Sequence, residues 1–384
     1  MSVSRREFLS WFSAGAGVAA LAGCESMAGS AAGDAAPSSA RVVVVGAGFG
    51  GGAAAKYIKM YAPEIDVVLI ERDAQFISCP VSNLVLGGNT TMQDITFGHD
   101  GLRSHGVKVV HDEAIAVDPD RRQVRLARGA TISYERLILS PGVELMYDDI
   151  PSLKSPAAQQ RVPHAWKAGE QTVLLRKQLE AMRDGGVYVL HIPTQPYRCP
   201  PGPYERVCQI ADYFKRAKPR SKIIVLDANP DIVSKKALFM AAWNGMYKGM
   251  VDYRPNSELL DVDVPGMTVK LQFDDVKGDV INVVPPHRAA DIAKNTGLIT
   301  ANQKWCGVHW LTGESVAVKN IHVLGDSTLS ASAMPKSASM ANQHGKICAA
   351  AVVALLKGQP VNPTPIIMNT CYSFVNGNSA MHVT

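Results

Sequence analysis

The chain has 384 residues, 47% of them hydrophobic and 7% aromatic, enough for two or three domains with proper cores. Its net charge is +5 with no Lys/Arg run, which argues against nucleic acid as a partner. The seven cysteines form no CxxC pair, no CxxCH haem site and no zinc spacing, so no metal site is expected and any haem belongs to another chain.

The N-terminus reads as an address. Ser4-Arg5-Arg6-Glu7-Phe8-Leu9 is a twin-arginine pattern ahead of a modest apolar run, which predicts an export signal over 1–23 and a periplasmic protein. Leu21-Ala22-Gly23-Cys24 resembles a lipoprotein cleavage box, with Cys24 as a lipid anchor. The alternative is a plain cleavage site with an incidental cysteine. Residues 24–40 are small and polar and read as a tether. Export permits disulfides among the remaining cysteines.

Residues 41–75 predict a βαβ opening. A valine strand runs into Gly46-Ala-Gly48-Phe-Gly50-Gly51, then a helix from about Gly50 to Tyr61, then a strand ending at Glu71. Each part has a separate job in holding a dinucleotide. Gly46 makes the tight turn, Gly48 lets the backbone approach a pyrophosphate, and Gly51 allows close helix–strand packing. The helix N-terminus faces the phosphates, and Glu71 can hold ribose hydroxyls.

Further along, Tyr134 to Gly142 reads as a strand ending in a small-residue turn, and 155–182 as polar helix. Residues 186–286 predict a second α/β unit with strands at Val187–Ile192, Lys222–Asp227 and Val280–Val284. After its first strand there are no glycines of the dinucleotide type. The chain continues instead as Pro193-Thr-Gln-Pro-Tyr-Arg-Cys199-Pro-Pro-Gly-Pro-Tyr-Glu205. NADH is therefore a poor candidate. Asn320 to Asp326 returns to the first domain. A strand ending in Gly325-Asp326, followed by a helix over about 339–356, is a second signature of FAD: Asp326 can bond the ribitol, and the helix aims its positive end at the ring. Lys336 can lie near the pyrimidine end. The expected fold is α/β with two Rossmann-like domains, 41–155 with 287–360 holding FAD and 156–286 lacking a dinucleotide fingerprint. Residues 361–384 form a short C-terminal remnant.

Cysteines carry the remaining signal. Cys79 follows the second strand's loop, within reach of a flavin, or is a small buried hydrophobe. Cys199 stands at the start of a helix, where a thiolate is favoured. A disulfide at Cys199 can be redox-active or structural, and Cys208 offers a local partner. Cys306 and Cys348 read as core packing.

Five segments carry a resemblance: Ile77-Ser-Cys79-Pro-Val-Ser-Asn83, Pro163-His-Ala-Trp-Lys-Ala-Gly-Glu170, Arg198-Cys-Pro-Pro-Gly-Pro-Tyr-Glu205, Met334-Pro-Lys-Ser337 and Asn369-Thr-Cys-Tyr-Ser373. From about Arg41 to Asn376 the chain resembles the flavoprotein subunit of flavocytochrome c sulfide dehydrogenase, in the disulfide-reductase-like FAD superfamily. The resemblance implies FAD attached covalently through Cys79, a redox-active Cys199–Cys371 disulfide, and Glu205 as a proton donor or acceptor beside it. It also implies sulfide as substrate and a c-type cytochrome partner carrying the haem. The sequence departs from the pattern at Pro80, at Cys208 and Cys348, and at its early end, which leaves cytochrome docking open. The rival readings are a sulfide:quinone oxidoreductase and a non-catalytic flavin-binding partner of a sulfur-oxidation complex.

Overall fold

The computed structural model describes residues 40–384. Arg5, Arg6 and Cys24, with the export signal and most of the tether, lie outside the described residues. The chain opens with β1 (Arg41–Val45), α1 (Phe49–Tyr61), β2 (Asp66–Glu71) and the short α2 (Ser82–Gly87). Strands β3 (Lys108–His111), β4 (Arg136–Leu139) and β5 (Val143–Leu145) follow, and then α3 (Glu170–Ala181). The middle of the chain holds β6 (Val187–Ile192), α4 (Gly202–Ala217), β7 (Lys222–Asp227), α5 (Lys236–Asn244), β8 (Val251–Arg254) and β9 (Val280–Val283). The last part holds β10 (His287–Ala289), β11 (Val308–His309), β12 (Glu314–Ser315), β13 (Ile321–Val323), α6 (Ala338–Leu356), β14 (Cys371–Phe374) and β15 (Ala380–Val383).

Two parallel sheets organise these elements. The larger runs β11-β12-β13-β4-β1-β2-β3, and is parallel except at its β11-β12-β13 edge. The smaller runs β8-β7-β6-β9, all parallel. Strand β1 is central because Val42 to Val44 have no exposed surface, which suits a strand covered on both faces. The antiparallel pair β5–β10 joins the two units, with Val143 opposite Ala289. The C-terminal hairpin β14–β15 pairs Cys371 with Val383.

The glycines beyond β1 behave differently from one another. Gly46 has φ +94, and a Cβ there would stand 2.5 Å from the Ser140 carbonyl oxygen. A Cβ on Gly51 would meet the Gly46 oxygen at 2.0 Å, so the helix could not close on the turn. Gly48 has no protein atom within 4 Å of that position. It faces open space, as a phosphate-approaching residue must. Gly345 of α6 meets Gly50 of α1 backbone to side, with a hypothetical Cβ 2.4 Å from the Gly50 oxygen.

The polar stretch 155–182 is not one helix. A short helix ends at Arg161, and α3 begins only at Glu170. Pro163 disfavours helical backbone at Val162, and the chain leaves as a loop. That loop carries Ala165 at φ +44 and Gly169 at φ +150. No helix of the described residues is long and apolar enough to cross a membrane.

The α1–α6 contact generates a stability prediction. Gly345→Ala forces helix backbones apart and lowers unfolding free energy by about 1–3 kcal/mol. Urea unfolding checks it: the midpoint falls, while an unchanged midpoint would show that the helices can slide apart freely.

Candidate functional site

A cavity of about 940 Å³ lies between the glycine turn, the Arg198–Cys199 loop and the N-terminus of α6. Its wall includes Gly46, Gly48, Glu71, Cys79, Gly325 and Asp326. The Glu71 carboxylate accepts hydrogen bonds from Ala47 N–H at 2.6 Å and Asp73 N–H at 3.0 Å. It is thereby fixed at the edge of the glycine turn. The first residues of α6 close another side: Ser337 caps the helix, accepting from Met340 N–H at 3.0 Å, and Ser337 and Ala338 both face the cavity. Two helix N-termini therefore point at one space.

The residues fit FAD. Gly48 leaves room for a pyrophosphate at the α1 N-terminus. The Trp166 indole N–H is buried at the cavity wall with no hydrogen-bond partner, an orphan donor that a ligand would satisfy. The volume is within the range of about 300–1,000 Å³ usual for cofactor sites.

At one wall the cavity meets sulfur. Cys199 has φ +59, a left-handed conformation that a non-glycine residue holds only under constraint. The constraint is visible: its N–H donates to the Lys336 carbonyl at 2.7 Å, and its own carbonyl accepts from Gly202 at 2.8 Å. Cys371, at the start of β14, is close enough that its charge raises the Cys199 pKa. All six described cysteines are free thiols in this structure.

The expectation that the helix N-terminus favours a Cys199 thiolate is corrected here. Burial raises this thiol far above its ordinary value, and the charges of Cys371 and Glu205 push the same way. Desolvation outweighs the helix end, and Arg198 is the neighbour that opposes it.

Glu205, in the first turn of α4, is buried beside both thiols. It accepts hydrogen bonds from Phe374 N–H at 2.7 Å and from the Asn83 amide at 2.7 Å. Burial still dominates and pushes its carboxyl up to about 7.

The Lys336 ammonium bonds the Asp326 carbonyl at 3.0 Å and sits 3.6 Å from the Trp305 ring centre. Burial lowers it to about 8. Its contribution to the site is the carbonyl that anchors Cys199. Asp326 does line the cavity, and burial raises its carboxyl against the pull of Arg198 and Lys336. Cys79 lies in the wall, and its sulfur accepts from Ala168 N–H at 3.4 Å. Cys208, Cys306 and Cys348 are enclosed in the core; burial lifts the first two to about 12. Cys208 faces Trp243 rather than Cys199.

Three groups escaped the sequence reading. Arg198 lines the cavity between Cys79, Asp326 and Cys199. Its only sequence signal is its place next to Cys199. Arg206 is enclosed, bonding Asn83 at 3.1 Å, the His164 carbonyl at 3.0 Å and Asn282 at 2.8 Å. A charged residue inside an otherwise apolar helix face could have marked it. Lys235 lies against Cys371, and nothing local distinguishes it in the sequence.

Comparison with known proteins places this geometry. Residues 172–285 match the family model described as sulfide dehydrogenase [flavocytochrome c] flavoprotein chain, central, and residues 40–177 match the pyridine nucleotide-disulphide oxidoreductase model. A sulfide dehydrogenase [flavocytochrome c] flavoprotein chain from Chlorobaculum thiosulfatiphilum is 53% identical over 45 residues, 12% of this chain and 94% of that sequence. The chain belongs to this flavoprotein family. The mitochondrial sulfide:quinone oxidoreductase of Dictyostelium discoideum is 23% identical over 303 residues, 75% of this chain. The match spans 65% of that relative's length. The sulfide:quinone oxidoreductase structure from Aquifex aeolicus superposes with TM-score 0.76 at 18% identity, covering 89% of this chain and 82% of that one. A ferredoxin reductase from Rhodopseudomonas palustris gives TM-score 0.68 at 16% identity, over 89% and 81% of the two chains. These structures establish the two-domain α/β fold of the pyridine nucleotide-disulfide oxidoreductases.

Within the family's site, Glu205 generates a pH prediction. Its folded pKa, about 7, lies above the ordinary 4.5, so the stability linked to its protonated form is full below pH 4.5 and is lost as pH rises through 7. Relative to Glu205→Gln, wild type should lose on the order of 3 kcal/mol between pH 4 and 8. Denaturant unfolding of both proteins across that range reads the difference directly. A constant difference would mean that the carboxyl titrates normally.

Proposed function

We propose that this chain is an exported, FAD-dependent sulfide dehydrogenase subunit. In this reading it oxidises sulfide to sulfane sulfur or polysulfide and hands electrons to a c-type cytochrome that carries the haem. The observation that carries the reading is the meeting of Cys199, Cys371 and Glu205 beside the cavity wall, from distant parts of the chain. Family membership supports the flavin and the substrate class.

The chemistry follows from a Cys199–Cys371 disulfide. Hydrosulfide attacks one cysteine sulfur; a new S–S bond forms, the old one breaks, and its electron pair leaves on the other cysteine. A second sulfur nucleophile removes the added sulfur, and both cysteines are left reduced. Arg198 faces the negative charge on Cys199, while Glu205 takes up and returns the proton near neutral pH. FAD, when bound, accepts the electron pair and can release it one electron at a time. Cys79, in the cavity wall, supports a thioether to the flavin. The Arg5-Arg6 pattern supports periplasmic export, and Cys24 supports a lipid anchor.

Quinone as acceptor is the second reading, favoured by the likeness to sulfide:quinone oxidoreductases. Reoxidation of the sulfide-reduced protein by cytochrome c but not by a soluble quinone supports the first reading; the reverse supports the second.

An anaerobic absorbance titration tests the core of the proposal. Sulfide bleaches the flavin and NADH does not. Cys199→Ser and Cys371→Ser each abolish the bleaching while retaining FAD; full bleaching in either variant overturns the disulfide route. Acid precipitation checks the thioether separately. Wild-type protein pellets yellow, whereas Cys79→Ser releases its flavin to the supernatant.

A further inference from the structure

Lys235 stands immediately before α5 in a left-handed conformation, φ +56. A non-glycine residue holds this conformation only under constraint. Its half-buried ammonium reaches out of the second sheet's unit to the C-terminal hairpin. It donates to the Cys371 carbonyl at 2.8 Å and to the Ser373 hydroxyl at 2.8 Å. An ammonium has three donors, and these contacts use two. The contact with the Cys371 carbonyl sets the ammonium beside that residue, whose thiol it lowers.

We propose that Lys235 is the electrostatic partner of the Cys371 sulfur, holding negative charge on that atom while the Cys199–Cys371 bond is open. The inference rests on the sulfide-oxidising reading, but it concerns a group with no assigned role. Opening the disulfide with hydrosulfide adds one sulfur and one negative charge to the pair. If Cys371 is the leaving sulfur, it departs as a thiolate. If Cys371 takes the incoming sulfur, its persulfide gives its proton to Glu205 and becomes an anion. In either case a charge develops beside Lys235.

The two cysteines are served by different cations. Cys199 has Arg198 on the cavity side. Cys371 has Lys235 on the other. The remaining groups facing Cys371 are unhelpful to an anion: Glu205 repels it, and burial raises the thiol overall. Lys235 is the neighbour that lowers it. The facing groups of Lys235 are likewise Cys371, Glu205 and Cys199, so its charge is directed at the reacting cluster. The same ammonium bonds Ser373 in the first strand of the hairpin, which keeps the sulfur and its cation in register.

The test reads a thiol rather than turnover. FAD-loaded protein is reduced anaerobically, alkylated with iodoacetamide between pH 6 and 10, and the Cys371 peptide is quantified by mass spectrometry. Lys235→Met moves the alkylation midpoint to higher pH, and the rate at pH 8 falls about tenfold, the change for one pH unit. Lys235→Arg restores the midpoint. Lys236→Met, which removes an exposed cation paired with Asp231, leaves it in place. Should Lys235→Met fail to fold, Lys235→Gln keeps a hydrogen-bond donor without the charge and gives the same shift. An anchoring role alone would change the rate by one factor at every pH with the midpoint fixed, and that result overturns the proposal. Wild-type protein that shows the Lys235-dependent midpoint but no bleaching by sulfide would sink the functional reading and leave this inference standing.

Discussion

A guanidinium or a carboxylate taken out of water costs several kcal/mol unless all its hydrogen-bonding capacity is met. Glu205 and Arg206 are sequence neighbours, both enclosed, and they share one partner while each reaches others of its own. Arg206 binds α2 through Asn83, the 163–169 loop through the carbonyl of His164, and β9 through Asn282. Glu205 binds α2 through the same Asn83 and the C-terminal hairpin through Phe374. Asn83 therefore presents its oxygen to one charge and its amide to the other. The arrangement of cavity, loop and hairpin follows from this shared satisfaction, because displacing any one segment would cost a buried charge one of its partners.

The sulfur pair sits at the margin of that clasp. Burial works against a thiolate on Cys199, and the strained backbone there is held by the Lys336 carbonyl rather than by the cysteine's own preference. Cations placed on either side offset part of this cost only when charge is present on sulfur. A thiol whose thiolate is disfavoured in this way reacts slowly with stray oxidants.

Local chemistry made the first domain legible. Consecutive buried valines, spaced glycines and a strand-ending acid are all within one short stretch, and each glycine's steric job is visible in its neighbours. The strands of the second sheet were legible for the same reason. The break at Pro163 was legible in principle, since proline restricts the residue before it. What spacing could not supply was contact between distant residues. The nearness of Cys199 and Cys371 came from family resemblance, and the local alternative with Cys208 fell only when that thiol was seen facing Trp243. Lys336 shows the opposite limit: its position along the chain was informative, but the direction of its side chain was set by the Trp305 ring and by carbonyls no pattern reveals. Lys235 and Arg206 act wholly through long-range partners.

The glycine contact between α1 and α6 has a consequence for ligand size. Both helices direct their N-termini into the same space, one at Gly48 and the other at Ser337 and Ala338. Because Gly345 rests against the backbone at Gly50, the separation of those two ends is as rigid as a helix–helix contact can be. The pair acts as a gauge. A ligand that engages both ends meets a span that it cannot adjust. That span is set in part by Gly345, a residue outside the cavity wall.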